Sequence, residues 1–377
     1  MGLFYIAFIE HFEGSAGVTS WIHTLTLSMR TGYALFTPAT SFIGCYFNKR
    51  HALTSGLAYS GVGLGILSLP PVMQLCIERR GWRGALLILA GMSAIIFVSA
   101  SLLRPVRSPA SATELDAMMM MTDTEHSEAL ESTDDPRYMR SGADKNTHES
   151  RTTSKLLVCR CFGSMGYLFD INLFSDVVFV ICMLVSTIQN IGMAVSFIHL
   201  APMIDSFGSH GSKTAFVLSL QGIGTFVGSL MWGFIITRNR LKIVHCYSCM
   251  LCLFGVVMFM VPFMAHLAAI SVTMVIIGFV RGGISSQTSV YIRAVVGDGA
   301  MTNVFGWWLL FGGIGQMVGG VLSGYIRGFT GSYDVSFYTA GVTVIFSGIL
   351  LWHPTGGIVT VQTLRIRNHE PHTAIYL

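Results

Sequence analysis

The sequence predicts an all-α membrane protein built as two helical bundles. Three observations carry that prediction. Of 377 residues, 52% are apolar and only 11% charged, with a mean hydropathy of +0.62, whereas soluble domains carry about 25% charged residues. The charges gather in short stretches between long apolar runs, and about 20 predominantly apolar residues are what one crossing helix needs. A single long polar segment, 108–155, divides those runs into two groups.

Nine full candidate spans follow in order at 21–47, 52–77, 82–103, 173–200, 213–237, 242–263, 267–291, 302–326 and 333–353, and residues 2–12 (GLFYIAFIEHF) add a half-length tenth. The first residues show neither a basic n-region nor a small-residue cleavage site, so insertion is expected to be directed by the spans themselves. Segment 108–155 holds ten of the 19 acidic residues, many Ser and Thr and a Met118 to Met121 run. It lacks the apolar surface needed to offset ordering and reads as a disordered linker.

Basic residues orient the array. With the linker in the cytosol, ten of the 23 lie in cytosolic loops and the C-terminal tail, and six more in or beside the linker. Only Arg79, Arg80, Arg83, Lys213 and Arg327 fall outside, while Arg30 and Arg281 lie within spans. The net charge of +4 is therefore topological, and no basic patch interleaved with aromatics points to nucleic acid. Lipid is the expected surrounding.

Several patterns that suggest chemistry have structural explanations. Glycine runs such as GVGLG (61–65), GIGTFVG (222–228) and GGIGQMVGGVLSG (312–324) lie in apolar helices. Their small residues four apart, Gly61 and Gly65, Gly224 and Gly228, Gly315 and Gly319, Gly320 and Gly324, suit close helix packing better than phosphate binding. No cofactor is expected. Cys246 and Cys249 form a C-x-x-C inside an apolar helix, where packing is the expectation, and the eight cysteines form no disulfide framework. Cys159 and Cys161 stand at the edge of a span, where acylation is one use. No N-glycosylation sequon is present. The spans hold no Ser-His-Asp set, metal-spaced histidine cluster or carboxylate pair, so nothing supports an enzyme.

Four stretches resemble one family when taken in order. CYFNKRHALTSGLAYSGVGLG (45–65) is similar to the cytosolic turn and fifth span of the monocarboxylate transporter family, and ERRGWRGALLILAG (78–91) to the start of its sixth. KTAFVLSLQGIGTFVG (213–228) resembles its eighth span, and NVFGWWLLFGGIGQMVGGVLSGYIRGFTGSYDVSFYTAG (303–341) its eleventh and twelfth. The resemblance implies a major facilitator architecture with cytosolic termini, in the plasma membrane, carrying a monocarboxylate or another small organic solute, in some members by symport with a proton. It also implies that some members travel to the surface with a single-span immunoglobulin-type glycoprotein.

The same comparison accounts for Arg30. VTSWIHTLTLSM (18–29) resembles the outer end of the family's second span and TGYALFTPATSFIGCYF (31–47) the inner end of its fourth. The intervening half-spans and the whole third span are absent, leaving about ten helical elements where the family has twelve. Arg30 sits on the seam, roughly 14 Å along a helix from Trp21, where an arginine costs roughly 2.5–3.5 kcal/mol. The expected organisation is an incomplete N-terminal bundle over 1–107, a cytosolic linker over 108–155, a six-helix bundle over 156–353 and a cytosolic tail over 354–377. Transport by such a chain is expected to be impaired, and the alternative is a non-transporting membrane protein that pairs with or regulates a full-length relative.

The expected substrate site centres on Arg281, deep in an apolar run where an unpaired cation facing lipid is costly. Ser285 and Gln287 from the same span, and Gln189 and Asn190 from the seventh, are its expected company. A guanidinium can grip a substrate carboxylate through two hydrogen bonds. Thr225 and Ser229 complete the set, because the resemblance aligns them with an Asp and an Arg of proton-coupled lactate carriers. Both charges are absent here, which puts lactate-type proton coupling in doubt.

Overall fold

The computed structural model of the chain describes residues 51–101, 174–207, 211–238, 243–264, 266–296 and 301–369. The candidate spans 2–12 and 21–47, with Arg30, and the linker 108–155 lie outside the described residues. Among the described residues every regular element is a helix: α1 (His51–Ser101), α2 (Val177–Ile198), α3 (Leu200–Ser206), α4 (Ser212–Arg238), α5 (Ile243–Met260), a 3-10 turn (Val261–Phe263), α6 (Leu267–Val296), α7 (Met301–Thr330) and α8 (Asp334–His369).

Seven stretches among them are long and apolar enough to cross a membrane: His51–Ser93, Val177–Ser206, Ser212–Arg238, Ile243–Phe263, Leu267–Val296, Asn303–Thr330 and Asp334–Trp352. The two spans expected at 52–77 and 82–103 form one helical stretch broken at Gly81, whose φ of 69° and ψ of 174° interrupt the helix. A side chain there would be strained, so glycine marks the bend. Asp176 caps α2, its carboxylate accepting from the Val178 N–H at 3.0 Å, as a short acceptor at a helix start should. The last helix runs on to His369 instead of ending near 353, since extending an existing helix by one residue is cheap compared with starting one.

The chain divides into two compact units, one of residues 1–92 and 170–377 and one of 93–169. In the first, glycine lets helix backbones touch. Gly278 of α6 lies against Gln221 and Thr225 of α4, and Gly282 against Thr225 and Ser229, so α4 and α6 run parallel. Gly315 and Gly319 of α7 meet Thr187 and Ile191 of α2 in the same parallel sense. Gly255 of α5 faces Gly341 and Ile345 of α8 while Gly348 faces Cys252, an antiparallel pair. α1 belongs with them: Gly56 rests on Ser229 and Gly233 of α4, Gly63 on Phe226, and Gly222 on Leu67. Ser289 also donates to Ser55 at 3.0 Å between α6 and α1. Close approach at small residues is the usual device where helices cannot be driven together by water. Gly61 and Gly65, expected to pack similarly, have nothing among the described residues within 4 Å of an added Cβ.

The core of this unit is aromatic and aliphatic, with Tyr247, Tyr291, Phe254, Phe337, Met183 and Leu251 fully enclosed. Large apolar side chains such as Phe216, Val272, Phe346 and Ile349 are exposed, the pattern of helices whose outer faces meet lipid. Hydroxyls inside spans are satisfied mostly by their own helix: Ser219 donates to the Ala215 carbonyl and Ser271 to that of Leu267. That keeps polar atoms bonded where no water can do it.

Candidate functional site

Arg281 sits in the middle of α6, half-buried, with its guanidinium 3.6 Å from the ring centroid of Phe197 on α2. The planar cation over an aromatic face is a favourable arrangement when partly desolvated. Ser285, one turn further along α6, is also half-buried and lies about 40° from Arg281 around the helix, so the two share a face.

Gln287 does not join them. Two residues beyond Ser285, it points to the far side of α6, about 160° from Ser285 and about 120° from Arg281. It is completely enclosed, and neither amide atom has a hydrogen-bond partner. Its neighbour one turn back is Gly283, whose missing side chain leaves room for the indole of Trp232.

Gln189 is likewise buried, in a different polar cluster. Tyr247 of α5 donates its hydroxyl to Gln189 Oε1 at 3.1 Å and lies 3.5 Å from the Thr288 hydroxyl. The Tyr247 ring stacks on Tyr291 with centroids 4.9 Å apart, and Trp308 packs edge-on against Tyr291 at 5.7 Å. Cys182 Sγ lies 2.9 Å from the Tyr291 hydroxyl, and Ser186 donates to the Trp308 carbonyl at 2.9 Å. This cluster ties α2, α5, α6 and α7 together and is closed to a solute.

Asn190 is half-buried, about 100° around α2 from Gln189. Its Nδ2 donates to the Ser186 carbonyl at 2.8 Å, and its Oδ1 accepts from Gln316 Nε2 of α7 at 3.2 Å. Asn190 and Phe197 are seven residues apart, hence on nearly one face of α2, and Phe197 carries Arg281. Arg281, Ser285 and Asn190 therefore border the same side of the bundle. Thr225 and Ser229 do not: both are buried in the seam of α4 with α6, and their hydroxyls donate to Gln221 and Phe226 carbonyls of their own helix at 2.9 and 3.0 Å.

Phe197 and Gln316 were not anticipated from the sequence. Gln316 stands alone as a long polar side chain in the glycine run GGIGQMVGG, and an intramembrane polar residue is a functional signal in its own right. Phe197, one aromatic among 25 phenylalanines, carries no such signal. Among the described residues no group of three His, Cys, Asp or Glu side chains could hold a metal ion, and Cys246, Cys249 and Cys252 are free thiols.

Comparison with known proteins adds an independent line. The family model of the Major Facilitator Superfamily matches residues 1–185 and 179–363. Similar curated proteins include monocarboxylate transporter 12 of Mus musculus, 28% identical over 332 residues that make up 87% of this chain and 65% of that protein. Monocarboxylate transporter 13 of Rattus norvegicus is 25% identical over 86% of the chain and 65% of its own length, and monocarboxylate transporter 4 of Gallus gallus 24% over 93% and 65%. The chain thus spans just under two thirds of these relatives. It belongs to the Major Facilitator Superfamily and, within it, is similar to the monocarboxylate transporters.

Proposed function

We propose that this chain is built to carry a small organic acid across a membrane, with the acid's carboxylate held by Arg281 beside Ser285, and with Asn190 and Gln316 on the same border. The observation that carries the reading is the half-buried guanidinium lying on Phe197 in mid-span. A guanidinium carries N–H groups in one plane, a geometry that suits two parallel hydrogen bonds to a carboxylate. The names of the similar proteins support an organic acid as the cargo. Thr225 and Ser229, uncharged and bonded to their own helix, supply no titratable group, so lactate-type proton symport is no part of the proposal.

Cytosolic termini and linker are the orientation that the basic-residue distribution favours, and the plasma membrane belongs to the proposal through the family resemblance. A single-span glycoprotein partner belongs to the proposal only through the family resemblance. Uptake by the chain alone is expected to be low, because by the family resemblance the stretch 21–47 joins parts of two spans and lacks the sequence between them.

One observation favours a second reading, association with a full-length relative. Of the most apolar stretch in His51–Ser93 only 17% is buried, against 39–56% in the six later spans. Among the described residues, little covers the apolar side of α1. Reconstituted proteoliposomes decide between the two: uptake of labelled monocarboxylates is measured for this chain alone, for a full-length relative alone and for both together. Carrier activity predicts low but measurable uptake by the chain alone that Arg281→Gln abolishes. Association predicts none alone and an altered rate for the relative.

A further inference from the structure

The C-x-x-C of α5 does not pack as a pair. Cys252, one turn further on, lies in the seam with α8 against Gly348, whereas Cys249 is exposed and Cys246 half-buried. About 60° of helix separates Cys246 from Cys249, so the two thiols share an outward side. A depth mark stands beside them: His245 meets Trp352 of α8 edge-on, with ring centroids 4.8 Å apart. Trp352 is exposed at the end of the Asp334–Trp352 span, where a tryptophan marks the headgroup level. Cys246 therefore lies at that level and Cys249 about 6 Å deeper than His245. The basic run of Arg238, Arg240 and Lys242 immediately precedes the helix in sequence.

An apolar groove continues inward from the thiols. Leu253, Val256 and Met260 are exposed and lie within about 60° of one another and of Cys249 around α5. On α8, Val342, Phe346 and Ile349 are exposed. The helices touch through Cys252 and Gly255 of α5 and through Gly341, Ile345 and Gly348 of α8, and each exposed row is turned roughly 70–130° from its own contact residues in the same sense. In an antiparallel pair, equal senses of rotation bring both rows to one side of the seam. The register of the contacts puts Cys249 level with Ile349 and Val256 level with Val342. From Cys249 to Met260 the groove runs about 16.5 Å into the bilayer.

We propose that Cys249, with Cys246 beside it, is an S-acylation site whose long fatty acyl chain lies along this groove between α5 and α8. Cysteines at a membrane edge are the usual acceptors of such chains. The attacking species is the thiolate. It adds to the carbonyl carbon of a long-chain acyl thioester; one C–S bond forms as the carrier's C–S bond breaks, and the cysteine's proton passes to the departing carrier thiolate. Nothing is oxidised or reduced. The inference rests on the orientation that puts loop 239–242 in the cytosol, the compartment that holds acyl thioesters.

The test uses the full chain, expressed in cultured mammalian cells that are fed an alkynyl analogue of palmitate, then purified. Label is measured before and after neutral hydroxylamine, which cleaves thioesters. Cys45→Ser, Cys159→Ser and Cys161→Ser are present throughout, so that the other cysteines at span edges do not contribute. The background chain should carry label that hydroxylamine removes, and adding Cys246→Ser and Cys249→Ser should lower it at least about ten-fold. Mass spectrometry of the unsubstituted chain, which does not depend on any variant folding, should find the acyl mass on the peptide holding Cys246 and Cys249. A background chain without hydroxylamine-sensitive label, label that survives the added substitutions, or a peptide with both thiols free overturns the inference. If single cysteines in 108–155 then react with impermeant reagents from outside, the orientation beneath it fails as well; if they are protected, acylation alone is overturned.

Discussion

Replacing Gly282 by alanine tests the packing that positions Arg281 one residue before it. A Cβ at Gly282 would stand 2.8 Å from the Ser229 nitrogen and against the Thr225 carbonyl oxygen, both backbone atoms of α4. Backbone cannot rotate away as a side chain can, so α4 and α6 must separate. Overfilling a close-packed contact costs about 1–3 kcal/mol, while alanine in place of a helical glycine returns up to about 1 kcal/mol. The net expectation is a loss of about 1–2 kcal/mol. Gly61→Ala is the internal control, because among the described residues nothing lies within 4 Å of the added carbon and only the propensity gain remains. Thermal unfolding of the two variants in one detergent should move their midpoints in opposite directions, Gly282→Ala down and Gly61→Ala up or unchanged. Equal shifts would refute the assignment of α4 and α6 to a backbone-to-backbone seam.

Three further outcomes are expected. Gln287→Leu should leave carboxylate binding unchanged and hold or raise the melting temperature, since it removes a buried amide without partners that costs about 1–3 kcal/mol; lost binding would return Gln287 to the site. Cysteines at 55 and 289, where the serine hydroxyls are 3.0 Å apart, should join on mild oxidation. After proteolysis within 108–155 the two fragments should then remain linked until reduced, and failure to link would separate α1 from α6. Single cysteines in 108–155 should be protected from impermeant reagents in intact cells, and labelling from outside would invert the topology read from the basic residues.

The later spans were legible in the sequence because each is an apolar run of sufficient length between charged ends: 213–237 and 242–263 fall within a residue of Ser212–Arg238 and Ile243–Phe263. Legibility stopped at orientation. In a helix apolar on every side, periodicity cannot say which side meets lipid and which meets protein. Arg281 and Gln287 look like neighbours in the sequence, yet six residues turn them about 120° apart. Thr225 and Ser229 carry hydroxyls that a backbone carbonyl one turn away can satisfy, so a polar name in a span does not make a cavity-lining residue. Glycine spacing was informative only where a partner backbone arrived, as at Gly315 and Gly319 and not at Gly61 and Gly65. The fall of α2 into α3 at His199 had no signal in an apolar run, and Gln316 was hidden inside a glycine pattern that reads first as packing.

The central claim is that Arg281 holds a carboxylate. Equilibrium binding of a labelled monocarboxylate and of its uncharged primary amide, measured on the purified chain and on Arg281→Gln and Arg281→Lys, tests it most directly. A charge-assisted hydrogen bond contributes about 1.5–3 kcal/mol, so Arg281→Gln should weaken the acid by at least about ten-fold. Arg281→Lys should lie between, keeping the charge and losing the two-pronged geometry, while the amide should distinguish none of the three. An Arg281→Gln chain that is folded and binds the acid as tightly as the wild type would contradict the account.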